Sequence, residues 1–440
     1  MTSLEEIKSF SECIVSFMGP DGYPYSYPTN FTVEDGEIYV GKSSLTPRDG
    51  RVTLTFNHIT PLPSGGYTDR RYVTVKGVAS DAGGRLRVAV EKIYGWDEKK
   101  TPFPEYCEIS VPQSRRYVEE LVKTYGPKAR PKMSIPSLLF RSTRFPFLVA
   151  TATPVLIANM LALYAGRFDP TLFLLTLVGA SLIHLGLNMS NDYFDTKLGA
   201  DNINRTPTPF SGGSRVLQYG LLTPSAVAGL FTLFYIAGGL IGIYLAVLRG
   251  PIPILSILAA GVLISILYTA PPVKLAYRGL GEIAVAVGFG PVIVLGSYYV
   301  QTQELTLSAL LASIPIGIFI ALILYINQIP DAPYDLAAGK RTLVTRLSRE
   351  GVINLYKALL AVSYLFIAIP AAAGLAPPTA AIALATIPMA AKTVRMVREN
   401  YGNPYMMIPA MGANIRLATW TGLLHALGFT LGALARIVAA

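Results

Sequence analysis

The sequence predicts a chain in two parts, a mainly-β domain over about residues 1–126 and an all-α polytopic membrane domain over about 138–440. Three observations predict it. Of the 440 residues, 52% are hydrophobic and only 15% are charged, with a mean hydropathy of +0.44, outside the range of ordinary soluble domains. The apolar excess is confined to the second part, in runs of about 20 residues, the length at which a helix matches the hydrocarbon core of a bilayer. The first part instead alternates apolar and polar residues in the manner of half-buried strands.

In the first part the alternating runs begin at Cys13-Ile-Val-Ser-Phe-Met, Glu37-Ile-Tyr-Val, Arg51-Val-Thr-Leu-Thr-Phe, Arg71-Tyr-Val-Thr-Val-Lys and Arg87-Val-Ala-Val. Turns separate them at Pro20-Asp-Gly22, Glu34-Asp-Gly36 and Ala82-Gly-Gly84. A helix is expected over 114–123 and a linker over 127–137. Met1 to Phe10 carries Glu5, Glu6 and Lys8 and has no apolar stretch, so no signal peptide is expected and this domain is assigned to the cytoplasm. Cys13 and Cys107 have no metal-type spacing, which fits reduced thiols.

Nine spans are expected, at about 146–165, 171–191, 224–247, 252–269, 280–300, 307–327, 354–374, 378–393 and 417–438. Loops after even-numbered spans carry Lys197, Arg205, Arg215, Lys274, Arg278, Lys340, Arg341, Arg346, Arg349, Lys392, Arg395, Arg398 and Arg416. Loops after odd-numbered spans carry only Arg167 and Arg249. The asymmetry places the even loops and the first domain on the cytoplasmic side. It also accounts for much of the net charge of +10 without a nucleic-acid partner.

The chemistry-bearing residues gather at the ends of spans two and six. Span two ends in Asn188-Met-Ser-Asn191-Asp192-Tyr-Phe-Asp195, followed by Gly199 and Asp201. On a helix, positions 188, 191, 192 and 195 fall within roughly a 100° arc. Span six ends in Asn327-Gln-Ile-Pro-Asp331-Ala-Pro-Tyr-Asp335, then Gly339-Lys340-Arg341-Thr342. Asn327, Asp331 and Asp335 form one stripe, although Pro330 and Pro333 are expected to disturb the helix. Clustered carboxylates at a bilayer are costly unless a cation neutralises them, and such oxygen-rich sets suit Mg²⁺, which bridges carboxylates to substrate phosphates. The candidate metal ligands are therefore Asn188, Asn191, Asp192, Asp195, Asp201, Asn327, Asp331 and Asp335. Lys340, Arg341, Arg346, Lys274 and Arg278 are candidates to hold a diphosphate and its leaving charge. Simple positive-inside topology is the alternative for any one of them. Tyr193, Phe194, Tyr268 and Tyr325 present π faces to the same ends, and His184 reads as a packed histidine.

From about Arg144 onward the chain resembles the UbiA prenyltransferase superfamily, and within it the 1,4-dihydroxy-2-naphthoate polyprenyltransferases of menaquinone biosynthesis. The resemblance rests on Asn188-x-x-Asn191-Asp192-x-x-Asp195-x-x-x-Gly199-x-Asp201, Phe210-Ser-Gly-Gly-Ser-Arg215, Tyr268-Thr-Ala-Pro-Pro, Tyr277-Arg-Gly-Leu-Gly-Glu282 and Asp331-x-x-x-Asp335-x-x-x-Gly339-Lys340-Arg341-Thr342-Leu-x-x-Arg346. It implies a nine-helix fold, Mg²⁺ bound by both Asp motifs, a polyprenyl diphosphate donor lying along an apolar tunnel, and an aromatic acceptor. Gln328 departs from the branch, which often has Asn or Asp there. Arg215, with Ser214 and Tyr268, is the candidate acceptor-binding set, Arg215 facing the acceptor carboxylate. Other acceptors of the superfamily, 4-hydroxybenzoate or geranylgeranylglyceryl phosphate, stay open. A transporter with a regulatory barrel or a membrane-tethered flavin reductase leaves the two Asp clusters less well explained.

The first domain resembles the split β-barrel of pyridoxamine 5′-phosphate oxidase-like flavoproteins, with a strand pair around Asp21-Gly-Tyr-Pro-Tyr-Ser-Tyr-Pro-Thr-Asn-Phe31. The resemblance implies that Lys42, Ser43 and Ser44 lie near an FMN phosphate. The basic segment that follows is shortened to Thr46-Pro-Arg48-Asp-Gly50, and a cofactor-free barrel serving stability, docking or substrate hand-over is the alternative.

Overall fold

The computed structural model describes residues 4–61, 67–126, 128 and 133–439. The chain divides into two compact units, residues 1–113 and 114–440.

In the first unit a short helix α1 (Leu4–Ile7) precedes seven strands: β1 (Cys13–Met18), β2 (Pro24–Thr29), β3 (Phe31–Glu34), β4 (Glu37–Gly41), β5 (Arg51–Pro61), β6 (Tyr67–Ala82) and β7 (Arg85–Asp97). They form one sheet in the order β2-β1-β5-β6-β7-β4-β3, all neighbours antiparallel. The expected alternation is present: in β1, Cys13, Val15 and Phe17 are buried, and Val52, Leu54 and Phe56 of β5 face the same core. The sheet curls on itself. Near its other edge the Gly41 N–H donates to Thr29 Oγ1 at 3.2 Å, and Tyr27 Oη donates to the Gly41 carbonyl at 2.7 Å. A mainly-β half-barrel results. The helix expected over 114–123 is longer, α2 (Phe103–Tyr125), and the unit boundary falls inside it rather than at a linker. Of the expected linker, residues 127 and 129–132 lie outside the described residues. Its last part already belongs to α3 (Ile135–Ser142), whose N-cap Ser134 accepts the Ser137 N–H.

The second unit is helical: α4 (Val149–Tyr164), α5 (Pro170–Leu198), α6 (Ala200–Ile203), α7 (Pro224–Arg249), α8 (Pro251–Leu267), α9 (Gly281–Val287), α10 (Ile293–Thr302), α11 (Leu307–Ala337), α12 (Leu343–Arg346), α13 (Arg349–Ala372), α14 (Ile387–Asn400) and α15 (Ile408–Ala439). A π turn at 288–292 joins α9 to α10 as one span, and 3₁₀ turns extend α4 and α14 at their N-terminal ends. Among the described residues, eight helical stretches are long and apolar enough to cross a membrane, so the chain is a multi-pass membrane protein. The expected fourth span is the 17-residue apolar helix α8, shorter than the rest.

Two helices position the site. Helix α5 starts at Asp169, whose carboxylate caps the N–H groups of Thr171 and Leu172, and runs past the expected end at 191 to Leu198. There Gly199, at φ 92°, stops it. It packs closely on α7: a Cβ on Gly238 would lie 2.8 Å from the Gly179 carbonyl, the small-residue contact typical of membrane helices. Helix α11 starts at the N-cap Thr306 and continues to Ala337 through Pro330 and Pro333, where a disturbed helix was expected. Each proline removes one amide donor, but Tyr325, Ile326 and Ile329 are locked in a core with Tyr356, Met407 and Met411. That packing holds the helix in register.

Candidate active site

The last turns of α5 and α11 face one polar cavity of about 160 Å³, closed by residues of the 200–213 segment, Tyr268 and Lys340. Asn188, Asn191, Asp195, Asp201, Tyr268, Asn327, Asp331, Asp335 and Lys340 all line it. The two motifs, about 140 residues apart in sequence, are therefore brought together.

Each acid has a distinct environment. Asp195 is buried and accepts from Tyr277 Oη at 2.7 Å, Asn191 Nδ2 at 3.1 Å and Lys340 Nζ at 3.2 Å. Lys340 also reaches Asp335 at 3.7 Å and lies 5.4 Å from the centre of the Tyr277 ring. Burial works against its charge, yet Asp195 and Asp335 together hold the ammonium well above the ordinary lysine value. Lys340 thus bridges a carboxylate of each helix. Asp331 is engaged by the loop opposite: Oδ1 accepts from Asn204 Nδ2 at 2.9 Å and Ser211 Oγ at 3.0 Å, and Oδ2 from the Gly212 N–H at 3.0 Å. Asp192 lies just behind the cavity wall. Its Oδ2 accepts the Ser214 N–H at 3.0 Å, while its Oδ1 is buried without a hydrogen-bond partner among the described residues.

Gly213 separates these acids. At φ 75°, its absent Cβ would stand 2.5 Å from Asp201 Oδ2 and 3.3 Å from Asp192 Oδ1, so no side chain fits there. Burial, then the charges of Asp195 and Asp192, push the Asp201 carboxyl well above the ordinary range. Asn188 donates to the Thr143 carbonyl at 2.9 Å, Asn191 to Thr269 Oγ1 at 2.8 Å and Asn327 to the Phe210 carbonyl at 3.2 Å. These bonds fix the carboxamides through their nitrogens. The Asn327 Oδ1 is buried with no partner among the described residues.

The donor set fits Mg²⁺ in a particular way. Among the described residues no three His, Cys, Asp or Glu side chains converge into a ready-made ligand cluster. Mg²⁺ usually takes only one or two protein carboxylates, completing its shell with water and substrate phosphate. Asp192 Oδ1, Asn327 Oδ1 and Gln328 Oε1 are buried acceptors without a partner among the described residues, and with Asp201 and Asp335 nearby they suit that partial shell.

Several expected residues stand elsewhere. Arg278, Arg341 and Arg346 are exposed and do not line the cavity; they stitch the loops. Arg278 donates to the Pro272 carbonyl, and Arg346 to the carbonyls of Arg341 and Arg278. Lys274 rests 5.4 Å from the Tyr277 ring centre. Arg215 is buried at φ 63°, its guanidinium on the carbonyls of Asp201 and Asn204 rather than in the cavity, and Ser214 meets the site through its backbone. In the first unit Lys42 is paired with Asp81 and Ser43 Oγ accepts the Leu45 N–H at 3.2 Å.

Sequence reasoning missed Arg144, which lines the cavity and donates to the Phe210 carbonyl at 3.1 Å, and Asn204, which holds Asp331. It also missed the part of Tyr277, although its motif had been singled out. His184 bonds Thr151 at 2.8 Å and packs on Phe289, as a core histidine does. Beside it an apolar chamber of about 160 Å³ runs between α5, α7, α8 and the α9–α10 span, sharing His184, Leu187, Tyr268, Val285 and Phe289 with the polar cavity.

The chain is similar to several known proteins. The 1,4-dihydroxy-2-naphthoate octaprenyltransferase of Bacillus subtilis is 29% identical over 70% of this chain and 96% of its own length. The 2-carboxy-1,4-naphthoquinone phytyltransferase of Synechocystis is 26% identical over 64% of this chain and 90% of its own. The structure of a UbiA homolog from Archaeoglobus fulgidus bound to GPP and Mg²⁺ aligns at a TM-score of 0.49 and 13% identity, covering 65% of this chain and 99% of that one. The family model of the UbiA prenyltransferases matches residues 151–435, well over half of the chain, which therefore belongs to the UbiA prenyltransferase family.

Proposed function

We propose that this membrane prenyltransferase passes a polyprenyl group from its diphosphate to 1,4-dihydroxy-2-naphthoate, with loss of CO₂, in menaquinone biosynthesis. One observation carries the reading: Lys340 lies between Asp195 of α5 and Asp335 of α11, at the floor of a cavity that opens beside an apolar chamber. A charged head and a long apolar tail find their matching surfaces there. The names of the relatives support the acceptor.

Asp192, Asp195, Asp201 and Asp335, with the side-chain oxygens of Asn188, Asn191, Asn327 and the anchored Asp331, are the residues that would hold Mg²⁺. An ion held there would supply positive charge against the diphosphate leaving group. Lys340 and Arg144 are the cations at the cavity wall that stabilise that departing charge. The allylic C–O bond breaks with its electron pair going to diphosphate. The ring carbon bearing the carboxylate attacks the allylic carbon, and CO₂ leaves, returning its electron pair to the ring. Tyr268 lines both cavities, and its π face is suited to shielding an allylic cation held between them. Arg278, Arg341, Arg346 and Lys274 act by shaping the loops. Arg215 supports the Asp201–Asn204 turn, and Ser214 the seat of Asp192. The proposal includes nine crossings, α8 among them, with the basic loops and residues 1–126 in the cytoplasm.

The test is purified chain with geranylgeranyl diphosphate and three acceptors, with and without Mg²⁺. Prenylation of the dihydroxynaphthoate with CO₂ release, abolished by EDTA and faster than with 4-hydroxybenzoate or geranylgeranylglyceryl phosphate, supports the reading. Preference for the glyceryl phosphate with no CO₂ released would overturn the acceptor.

A further inference from the structure

The first unit contains a larger cavity, about 590 Å³, between β6, β7, the start of α2 and the segment after α1. That is within the span of small-molecule sites, on the order of 300–1,000 Å³. We propose that it is a second ligand site of this protein, one that takes a flat aromatic anion.

Its walls are aromatic and braced. Trp96 and Tyr106 lie 5.0 Å apart between ring centres at 31°. The Tyr106 and Tyr72 hydroxyls are 2.7 Å apart. Trp96 Nε1 donates to the Thr101 carbonyl at 2.6 Å, and the guanidinium of Arg70, clamped by Glu98 at 2.6 Å, sits 5.6 Å from the indole. Tyr94 and Phe10 complete the lining. Rings fixed in this way offer stacking surface at little ordering cost.

The charges around the cavity single out one cation. Glu6 and Lys100 satisfy each other at 2.5 Å. Asp97 is used by its own turn, accepting the Lys99 N–H at 2.9 Å. Arg71 differs: its guanidinium rests 5.2 Å over the Phe10 ring, and its Nε is buried with no hydrogen-bond partner among the described residues. A buried donor of that kind is costly until an acceptor arrives, and a planar guanidinium matches a carboxylate. One such cation among rings suits a monoanionic aromatic acid better than a diphosphate. Lys42, Ser43 and Ser44 are not among the lining residues, so this cavity is separate from the expected FMN phosphate position. A carboxylated acceptor belongs to the ligand class, but the site stands whichever acceptor the transferase uses.

The experiment uses the full chain in detergent carrying Trp420→Phe, which leaves Trp96 as the one tryptophan. Quenching of Trp96 is followed on titration with 1-hydroxy-2-naphthoate, 2-naphthol and inorganic phosphate, corrected for absorption. Saturable quenching by the naphthoate is expected, with at least about tenfold weaker binding of the neutral naphthol and none of phosphate. Arg71→Met should weaken the naphthoate about tenfold or more, whereas Lys42→Met should not change it. No saturable quenching, equal affinity for naphthol and naphthoate, or an unchanged affinity in a folded Arg71→Met variant overturns the proposal. Should Arg71→Met fail to fold, the naphthol comparison decides alone, because it needs no change at the site.

Discussion

Alanine at position 213 isolates what the glycine loop does for the acids. Two costs arise from the substitution. The backbone stands at φ 75°, where an L-residue loses about 1–2 kcal/mol relative to glycine. The new methyl group would also stand 2.5 Å from Asp201 Oδ2, about 0.9 Å inside the ordinary contact limit of 3.4 Å. The carboxylate or the loop must yield by that amount. A displacement of about 1 Å in a positioning group costs on the order of a hundredfold in rate. Gly374 supplies the control: its φ is 74°, nothing lies within 4 Å of its absent Cβ, and it follows α13, away from the cavity. In thermal melts in detergent Gly374→Ala should therefore show the backbone cost alone, and Gly213→Ala at least that much. Only Gly213→Ala should lose about a hundredfold in kcat/KM for prenyl transfer. If both variants keep similar activity while equally folded, the position of Asp201 does not limit the reaction and its assignment to the site fails.

Further outcomes follow from other contacts. Asp192→Ala should cut turnover by about a hundredfold or more at saturating Mg²⁺, measured by product formation, while the melting temperature stays within a few degrees. Asp331→Asn removes an acceptor from the Gly212 N–H, so limited proteolysis should cut the 204–214 segment faster as activity falls. Arg215→Met should lower kcat and raise the Mg²⁺ requirement, because the guanidinium holds the carbonyls beside Asp201; a rise confined to the acceptor KM would refute that role. Burial, with Glu12 nearby, pushes the Cys13 thiol from 9.0 up to about 12. The folded state thus favours the protonated thiol, and this contribution to stability is complete below pH 9.0 and lost as pH rises towards 12. In a Cys107→Ser chain, iodoacetamide at pH 8 should leave Cys13 unmodified until the domain unfolds.

The legible parts were those written in local pattern. Alternation located β1, β4, β5, β6 and β7, and apolar runs located the helices, because burial of one face imposes a fixed period on neighbouring residues. The end of α11 was misread for a related reason. Pro330 and Pro333 carry a strong local signal against a helix, while the packing that outweighs it comes from Tyr356, Met407 and Met411, distant in sequence. The candidate acids were recognisable as clusters, but their division of labour was not. That Asp331 is tied to Asn204, Ser211 and Gly212 depends on contacts across about 120 residues. Arg144 escaped notice because an arginine before a first span reads as topology. Its position at the cavity comes from a left-handed backbone, φ 51°, that no pattern announces.

The acids of the site do more than wait for a ligand, and this constrains how the loops and the ligand relate. Asp331 holds 204–212, Asp192 holds Ser214, and Asp195 holds Tyr277 and Lys340. Each loop over the cavity is thus fastened by an oxygen of the same set that would face a cation and a diphosphate. Asp331 and Asp195, each already accepting three donors through its two oxygens, keep the loops in place and have the least capacity left for a cation. Those left open, Asp192 Oδ1 and Asn327 Oδ1, are best suited to a ligand. Loss of any acid should then lower turnover, but for two separable reasons. Substitutions at Asp331 or Asp195 should loosen loops even without substrate, whereas substitutions at Asn327, which gives the loop a single bond through the Phe210 carbonyl, should change the protease pattern of the free protein less than Asp331→Asn does and act mainly on its response to Mg²⁺ and diphosphate.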